Sequence, residues 1–234
     1  MTNSAMIKDV RKVAWNALHS ASSALGFGIA TYRQPERLET MRAIRELKRS
    51  CEMLLTPLEA SQLLSLVRST SKLGGSMAEV GVFRGASARL IRQADGVRPL
   101  HLFDTFEGLP EPATTDVEIH AGAFEKNEFA CSLEQVRNNL KSCANVHFHK
   151  GLFPETGKAV ENEKFSFVHS DVDLYASTRS VLEFFYPRML PGGMILTHDF
   201  ATAHGPHKAF TEFMENLPEP LIELPGDQAM VVKL

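Results

Sequence analysis

The spacing of apolar residues changes character near residue 75. Before it, Val10, Val13, Ala14, Ala17, Leu18 and Ala21 recur at helical intervals, and residues 1–55 carry no strand signal. Thr56-Pro57-Leu58-Glu59 reads as a helix start, with a hydroxyl cap, a proline in the first turn and a glutamate at the third helical position. That helix runs through Leu63, Leu64 and Val67 towards Gly74-Gly75. Beyond it, short apolar runs predict strands at residues 77–82, 100–104, 146–150, 165–171 and 194–199, with helices over 86–95, 133–142, 177–189 and 206–216. Repeated strand–helix units imply a largely parallel sheet covered by helices on both faces, an α/β fold. Residues 221–224 and 228–234 flank the turn Pro225-Gly226-Asp227 and predict a closing antiparallel hairpin. Residues 107–130 form too long a connection for an ordinary loop and suggest a lid.

Composition changes this picture little. A chain of 234 residues, 44% hydrophobic and 23% charged, suits one soluble domain, residues 56–234, behind a helical extension, residues 1–55. A net charge of −3 offers no general attraction for nucleic acid or an anionic membrane. The basic stretch 42–49 alternates Arg45, Glu46 and Lys48, as a solvated helix face does. Cys51, Cys131 and Cys143 are odd in number and widely spaced, so free thiols in a reducing, cytoplasmic setting are expected. Lys8, Arg11 and Lys12 precede an apolar stretch that Asn16, His19, Ser20, Ser22 and Ser23 interrupt, which suits an amphipathic helix and not a signal peptide. No run is long and apolar enough to span a bilayer.

Four motifs carry candidate chemistry. Ala78-Glu79-Val80-Gly81-Val82-Phe83-Arg84-Gly85-Ala86-Ser87 leads a strand through glycines into a helix, whose free amides can receive a carboxylate or phosphate. It is neither GxGxxG nor a lysine phosphate loop, and a purely structural turn has the same form. Asp104 ends the next strand, where an acid can grip a ribose diol by two hydrogen bonds or merely cap a loop. Asp171-Val172-Asp173 ends the fourth strand, with both carboxylates on one side if the strand stays extended. Such a pair suits a hard cation or acid–base work. His198-Asp199 ends the fifth. With neighbouring strands about 4.8 Å apart, Asp171, His198 and Asp199 can converge at the carboxyl end of the sheet, where open α/β folds bind ligands. His101, His147 and His169 read as strand residues, and Phe184, Phe185, Phe210 and Phe213 as core.

Taken together these motifs resemble the macrocin O-methyltransferase family. The resemblance is carried by Ala78–Ser87, by Asp104-Thr105-Phe106-Glu107-Gly108-Leu109-Pro110, by Lys150-Gly151-Leu152-Phe153, by residues 171–178, by Leu190-Pro191-Gly192-Gly193 leading to His198-Asp199-Phe200, and by residues 205–213. It implies a Rossmann-like seven-stranded methyltransferase sheet, S-adenosylmethionine as methyl donor and a small sugar-like acceptor. Glu79, Gly81 and Asp104 match donor-binding positions, and Gly85, Ser87 and Thr105 beside them are expected in the same pocket. The family's magnesium ligands fall on Asp171, His198 and Asp199, and its general base on Asp173. His198 replaces an aspartate, and imidazole is a softer ligand, so manganese, iron or zinc gain on magnesium. The alternatives are a metal-dependent glycosyltransferase, since Asp-x-Asp suits sugar nucleotides, and a non-catalytic nucleotide-binding protein. The N-terminal helices leave room for a homo-oligomer in which they pair or cover a neighbour's site.

Overall fold

The computed structural model describes residues 3–25, 34–118 and 122–234, in two compact units divided between Glu39 and Thr40. Parts of the helical reading of 1–55 (residues 1, 2 and 26–33) and of the long connection (residues 119–121) lie outside the described residues. The first unit is built on α1 (Asn3–Ala24), where the Trp15 ring packs on His19 with centroids 4.2 Å apart and the Ser22 hydroxyl donates to the His19 carbonyl. The second unit starts inside α2 (Pro35–Ser50), because Met41, Ile44 and Leu47 on that helix are buried in its core. The unit that holds the sheet thus takes in α2 from Thr40 onward.

α3 (Pro57–Ser69) opens on the expected capping box: the Thr56 side chain accepts from the Glu59 amide, and the Glu59 carboxylate accepts from the Thr56 amide. Its C-terminal carbonyls are closed by Arg98, whose guanidinium donates to Val67 and Thr70 and pairs with Asp95 at 2.7 Å. The strands and helices then alternate: β1 (Ser76–Val80), α4 (Ala86–Ala94), β2 (Leu100–Asp104), α5 (Leu133–Asn139), β5 (Val146–Lys150), β6 (Phe165–Ser170), α6 (Tyr175–Phe185), β7 (Met189–Thr197) and α7 (His204–Met214). A small hairpin, β3 (Val117–Glu118) and β4 (Gly122–Ala123), sits inside the long connection, and β8 (Ile222–Glu223) and β9 (Ala229–Val232) close the chain. The main sheet has seven strands in the order β5-β2-β1-β6-β7-β9-β8. All neighbours up to β7 are parallel, while β9 runs antiparallel to β7 and β8 to β9.

β1 and β6 are buried along their whole length, as parallel strands covered on both faces must be. Phe103, Phe165, Phe185 and Phe210 are fully buried, whereas Phe184 and Phe213 only edge the core. Several predicted boundaries move; β1 ends at Val80, not 82, and α6 spans Tyr175–Phe185, not 177–189. β6 stops at Ser170, short of Asp171, and β7 starts at Met189, so that Pro191-Gly192-Gly193 lies within the strand. The chain changes direction across the sheet between β1 and β6, and crevices at such switch points open at the carboxyl ends of the strands.

Candidate active site

A cavity of about 560 Å³ lies at those carboxyl ends, lined by the segments after β1, β2, β6 and β7 and by residues 52–56, 108–110 and 226–227. Its floor is built from glycine geometry. Gly81 has φ +84°, and a Cβ there would stand 1.6 Å from the Asp171 carbonyl oxygen, so only glycine lets the loop after β1 lie against the end of β6. Gly85 caps α4 with φ +80° and backs onto Val136 of α5 and Leu140 just after it, away from the cavity. Asp104 is committed to this loop: one oxygen accepts the Val82 and Phe83 amides at 2.7 and 3.1 Å, the other the Phe106 amide at 2.7 Å. Three backbone amides thus fix the Asp104 carboxylate against the loop, with the Thr105 hydroxyl 3.5 Å from it. Thr105 makes a local turn, donating to the Gly108 carbonyl and accepting the Glu107 amide. Ser87 lines the cavity in the first turn of α4. Glu79 does not line it; it is wholly buried behind the loop, with its carboxylate on His169 Nδ1 at 2.9 Å. Burial pushes the Glu79 carboxyl up, against the pull of His169.

The opposite wall is an acidic cluster around one imidazole. His198 Nδ1 lies 3.1 Å from Asp199 and 3.4 Å from Asp171, and the candidate ligand atoms of the three all fall within 4.8 Å of one another. Among the described residues no other group of three such side chains could hold a metal ion. Octahedral ligands about 2.0–2.1 Å from a small divalent ion stand about 3 Å from each other, so these donors fit an ion with little movement. Burial would lower the His198 pKa, but Asp171 and then Asp199 and Glu59 outweigh it and hold it well above the usual value. Burial likewise acts to raise Asp171, yet His198 brings it down to about 2. Asp173 is pushed far up by burial and by the negative charges of Asp199 and Asp171. It joins the cluster by a turn and not by strand alternation, since it has φ +59° beyond the end of β6. Asp199 is also left-handed, at φ +56°, and burial raises its carboxyl. For residues other than glycine such conformations cost free energy and collect at functional sites.

Several residues of the site carried no functional signal in the sequence. Glu59, read only as a helix cap, turns one carboxylate oxygen to the Thr56 hydroxyl and His198 and accepts the Asp227 amide with the other. Asp227, read only as a turn residue, accepts the Ala201 and Thr202 amides and the Thr202 hydroxyl, pinning the segment after Asp199. The long connection does cover the cavity, through Gly108, Leu109, Pro110, Phe124, Glu128 and Phe129. It is anchored by Asp116, whose carboxylate accepts the Tyr175 amide at the start of α6. Elsewhere, His101, His147 and His149 stack on one another at the β2–β5 edge, with His101 also facing Glu163, as strand residues outside the cavity. The three cysteines are free. No helix among the described residues is long and apolar enough to cross a membrane.

A seven-stranded sheet of this order, with a glycine turn after its first strand and the cavity at its carboxyl ends, defines the Rossmann-like O-methyltransferase fold. Solved structures agree. A calicheamicin methyltransferase, CalS11, superposes with a TM-score of 0.64 at 20% identity over 88% of this chain and 97% of its own. The O-methyltransferase NovP gives 0.63 at 21% identity over 77% and 81%. The chain belongs to the macrocin O-methyltransferase family, whose model, described as Macrocin-O-methyltransferase (TylF), matches residues 61–231. It is 33% identical over 139 residues to a Streptomyces olivaceus 8-demethyl-8-(2,3-dimethoxy-alpha-L-rhamnosyl)-tetracenomycin-C 4'-O-methyltransferase, covering 54% of this chain and 53% of that one. It is 30% identical over 141 residues to the Micromonospora griseorubida mycinamicin III 3''-O-methyltransferase, covering 54% and 55%. The chain thus spans about half the length of the curated relatives it matches.

Proposed function

We propose that this protein transfers a methyl group from S-adenosylmethionine to a hydroxyl of a sugar-like natural-product acceptor, assisted by a divalent cation held by Asp171, His198 and Asp199. The observation that carries this reading is the convergence of those three side chains on the wall of the same cavity that the Gly81 loop floors. Support for the acceptor class comes from the relatives, which are named for methylating a rhamnosyl tetracenomycin and mycinamicin III.

When bound, the donor supplies a sulfonium methyl, and the ion supplies positive charge that acidifies a hydroxyl beside it. The chain's own residues do the rest. The loop from Gly81 to Ser87, framed by Asp104, receives the donor, and Gly81 lets that loop fold against the end of β6. Asp171, Asp199 and His198 Nδ1 would hold the ion at the cavity wall, where it would receive the acceptor hydroxyl. Asp173 accepts the hydroxyl proton as the oxygen–carbon bond forms and the sulfur–carbon bond breaks. Burial and the neighbouring Asp199 and Asp171 charges push the Asp173 carboxyl up, and positive charge on the ligand set would act the other way. Phe124, Phe129 and Leu109 from the covering segment exclude water.

Isothermal titration tests the donor half: S-adenosylhomocysteine should bind with an affinity that a sugar nucleotide does not match. Tighter binding of the sugar nucleotide would put a glycosyltransferase in its place. Binding of donor with no turnover on any glycosylated acceptor would favour a non-catalytic role.

A further inference from the structure

We propose that Glu59 is a positioning residue for the metal: it holds His198 so that Nδ1, and not Nε2, faces the ion. This deepens the metal reading above and rests on it. His198 presents Nδ1 to Asp171 and Asp199, so the proton of a coordinating neutral ring must sit on Nε2. That nitrogen is buried and makes no hydrogen bond. The carboxylate within reach of it is Glu59, at 3.6 Å, a few tenths of an ångström beyond a hydrogen bond. A metal-bound histidine ordinarily donates its other ring N–H to a carboxylate or carbonyl, which fixes ring orientation and strengthens the ligand.

Glu59 is built for this task beyond what helix capping needs. One oxygen accepts the Thr56 amide and hydroxyl at 2.7 and 2.8 Å and faces His198; the other accepts the Asp227 amide at 3.0 Å. Gly226 is required beside it, because at φ +102° a Cβ would stand 2.8 Å from the Glu59 carboxylate. Through Asp227, which binds the Ala201 and Thr202 amides, the same glutamate also steadies the segment that carries Asp199. Glu59 thus braces two of the three ligands from the cavity wall.

The test is Mn²⁺ binding followed by electron paramagnetic resonance, with melting temperature and S-adenosylhomocysteine affinity measured on the same samples. Glu59→Gln should weaken Mn²⁺ binding by about 10–100-fold, the usual cost of losing such a partner, and leave S-adenosylhomocysteine affinity unchanged. Val67→Ala, which loosens the buried face of α3 about two turns from Glu59, should lower the melting temperature and keep Mn²⁺ affinity. Glu59→Asp keeps the charge but draws it back from His198, so it too should weaken Mn²⁺ binding, and it stands in if Glu59→Gln fails to fold. Mn²⁺ affinity unchanged in the folded Glu59 variants, or lowered equally by Val67→Ala, overturns the positioning role alone. A wild-type protein that binds no Mn²⁺ overturns the metal reading and this role with it.

Discussion

Asp171 and Asp173 lie two residues apart in one cavity, yet the proposed chemistry asks different things of them. Asp171 sits 3.4 Å from His198 Nδ1 and is held ionised by it, the state a ligand must have. Asp173 leans on Asp199 in a left-handed turn and is the more readily protonated of the two. Asp171→Asn should therefore weaken Mn²⁺ binding, with activity partly restored by excess metal. Asp173→Asn should lower turnover by about 10²–10⁴-fold, as loss of a general base does, with no rescue by metal. Steady-state kinetics over a Mn²⁺ series separates them; an Asp173→Asn enzyme that turns over normally would move the base elsewhere. At this scale the sequence displays the acids themselves but not what surrounds them. Asp104 could be placed at a strand end, whereas its commitment to three backbone amides follows from how the Gly81 and Thr105 turns fold onto it. Glu59 was hidden because a capping box explains it completely in one dimension. Its second role exists only because α3 and the β8–β9 turn meet at the end of β7.

At the scale of elements, the loop after β1 and the end of β6 are locked together by Gly81. Gly81→Ala must give up a left-handed backbone, at about 1–2 kcal/mol, and also displace the Asp171 carbonyl. It should lower stability by more than that strain alone and abolish both S-adenosylhomocysteine and Mn²⁺ binding. Normal titrations on a stable Gly81→Ala protein would show that the two half-sites are not coupled there. Most elements were legible because each obeys one periodicity: β2 and β5 fall where alternating runs put them, and α3 where its cap does. Boundaries failed where tertiary contacts override local pattern. β7 runs back through Pro191-Gly192-Gly193 as a strand bordered by β6 and β9, and α6 starts at Tyr175 because Asp116, remote in sequence, takes its first amide.

Across the whole molecule, the chain's end is fastened by Glu219, which accepts from Lys233 Nζ, the Tyr186 hydroxyl and the Leu234 amide. Burial would raise its pKa, but these partners, led by Lys233, hold it at about 2, below the ordinary value of 4.5. A depressed carboxyl stabilises the fold above its unfolded pKa and loses that contribution as pH falls from about 4.5 towards 2. Glu219→Gln should thus cost about 1–3 kcal/mol at pH 7, and less as the pH drops through that window. Denaturant unfolding of both proteins at pH 7 and pH 3 checks this; a difference that does not shrink at pH 3 would contradict it. The central claim is that donor and cation share one cavity at the carboxyl ends of the sheet. Its most direct test is a crystal structure with S-adenosylhomocysteine and Mn²⁺, read by anomalous scattering. The account predicts one manganese peak bounded by Asp171, His198 Nδ1 and Asp199, with the nucleoside against the Gly81 loop and Asp104. S-adenosylhomocysteine seated there without manganese at those three residues, or manganese bound elsewhere, would contradict it.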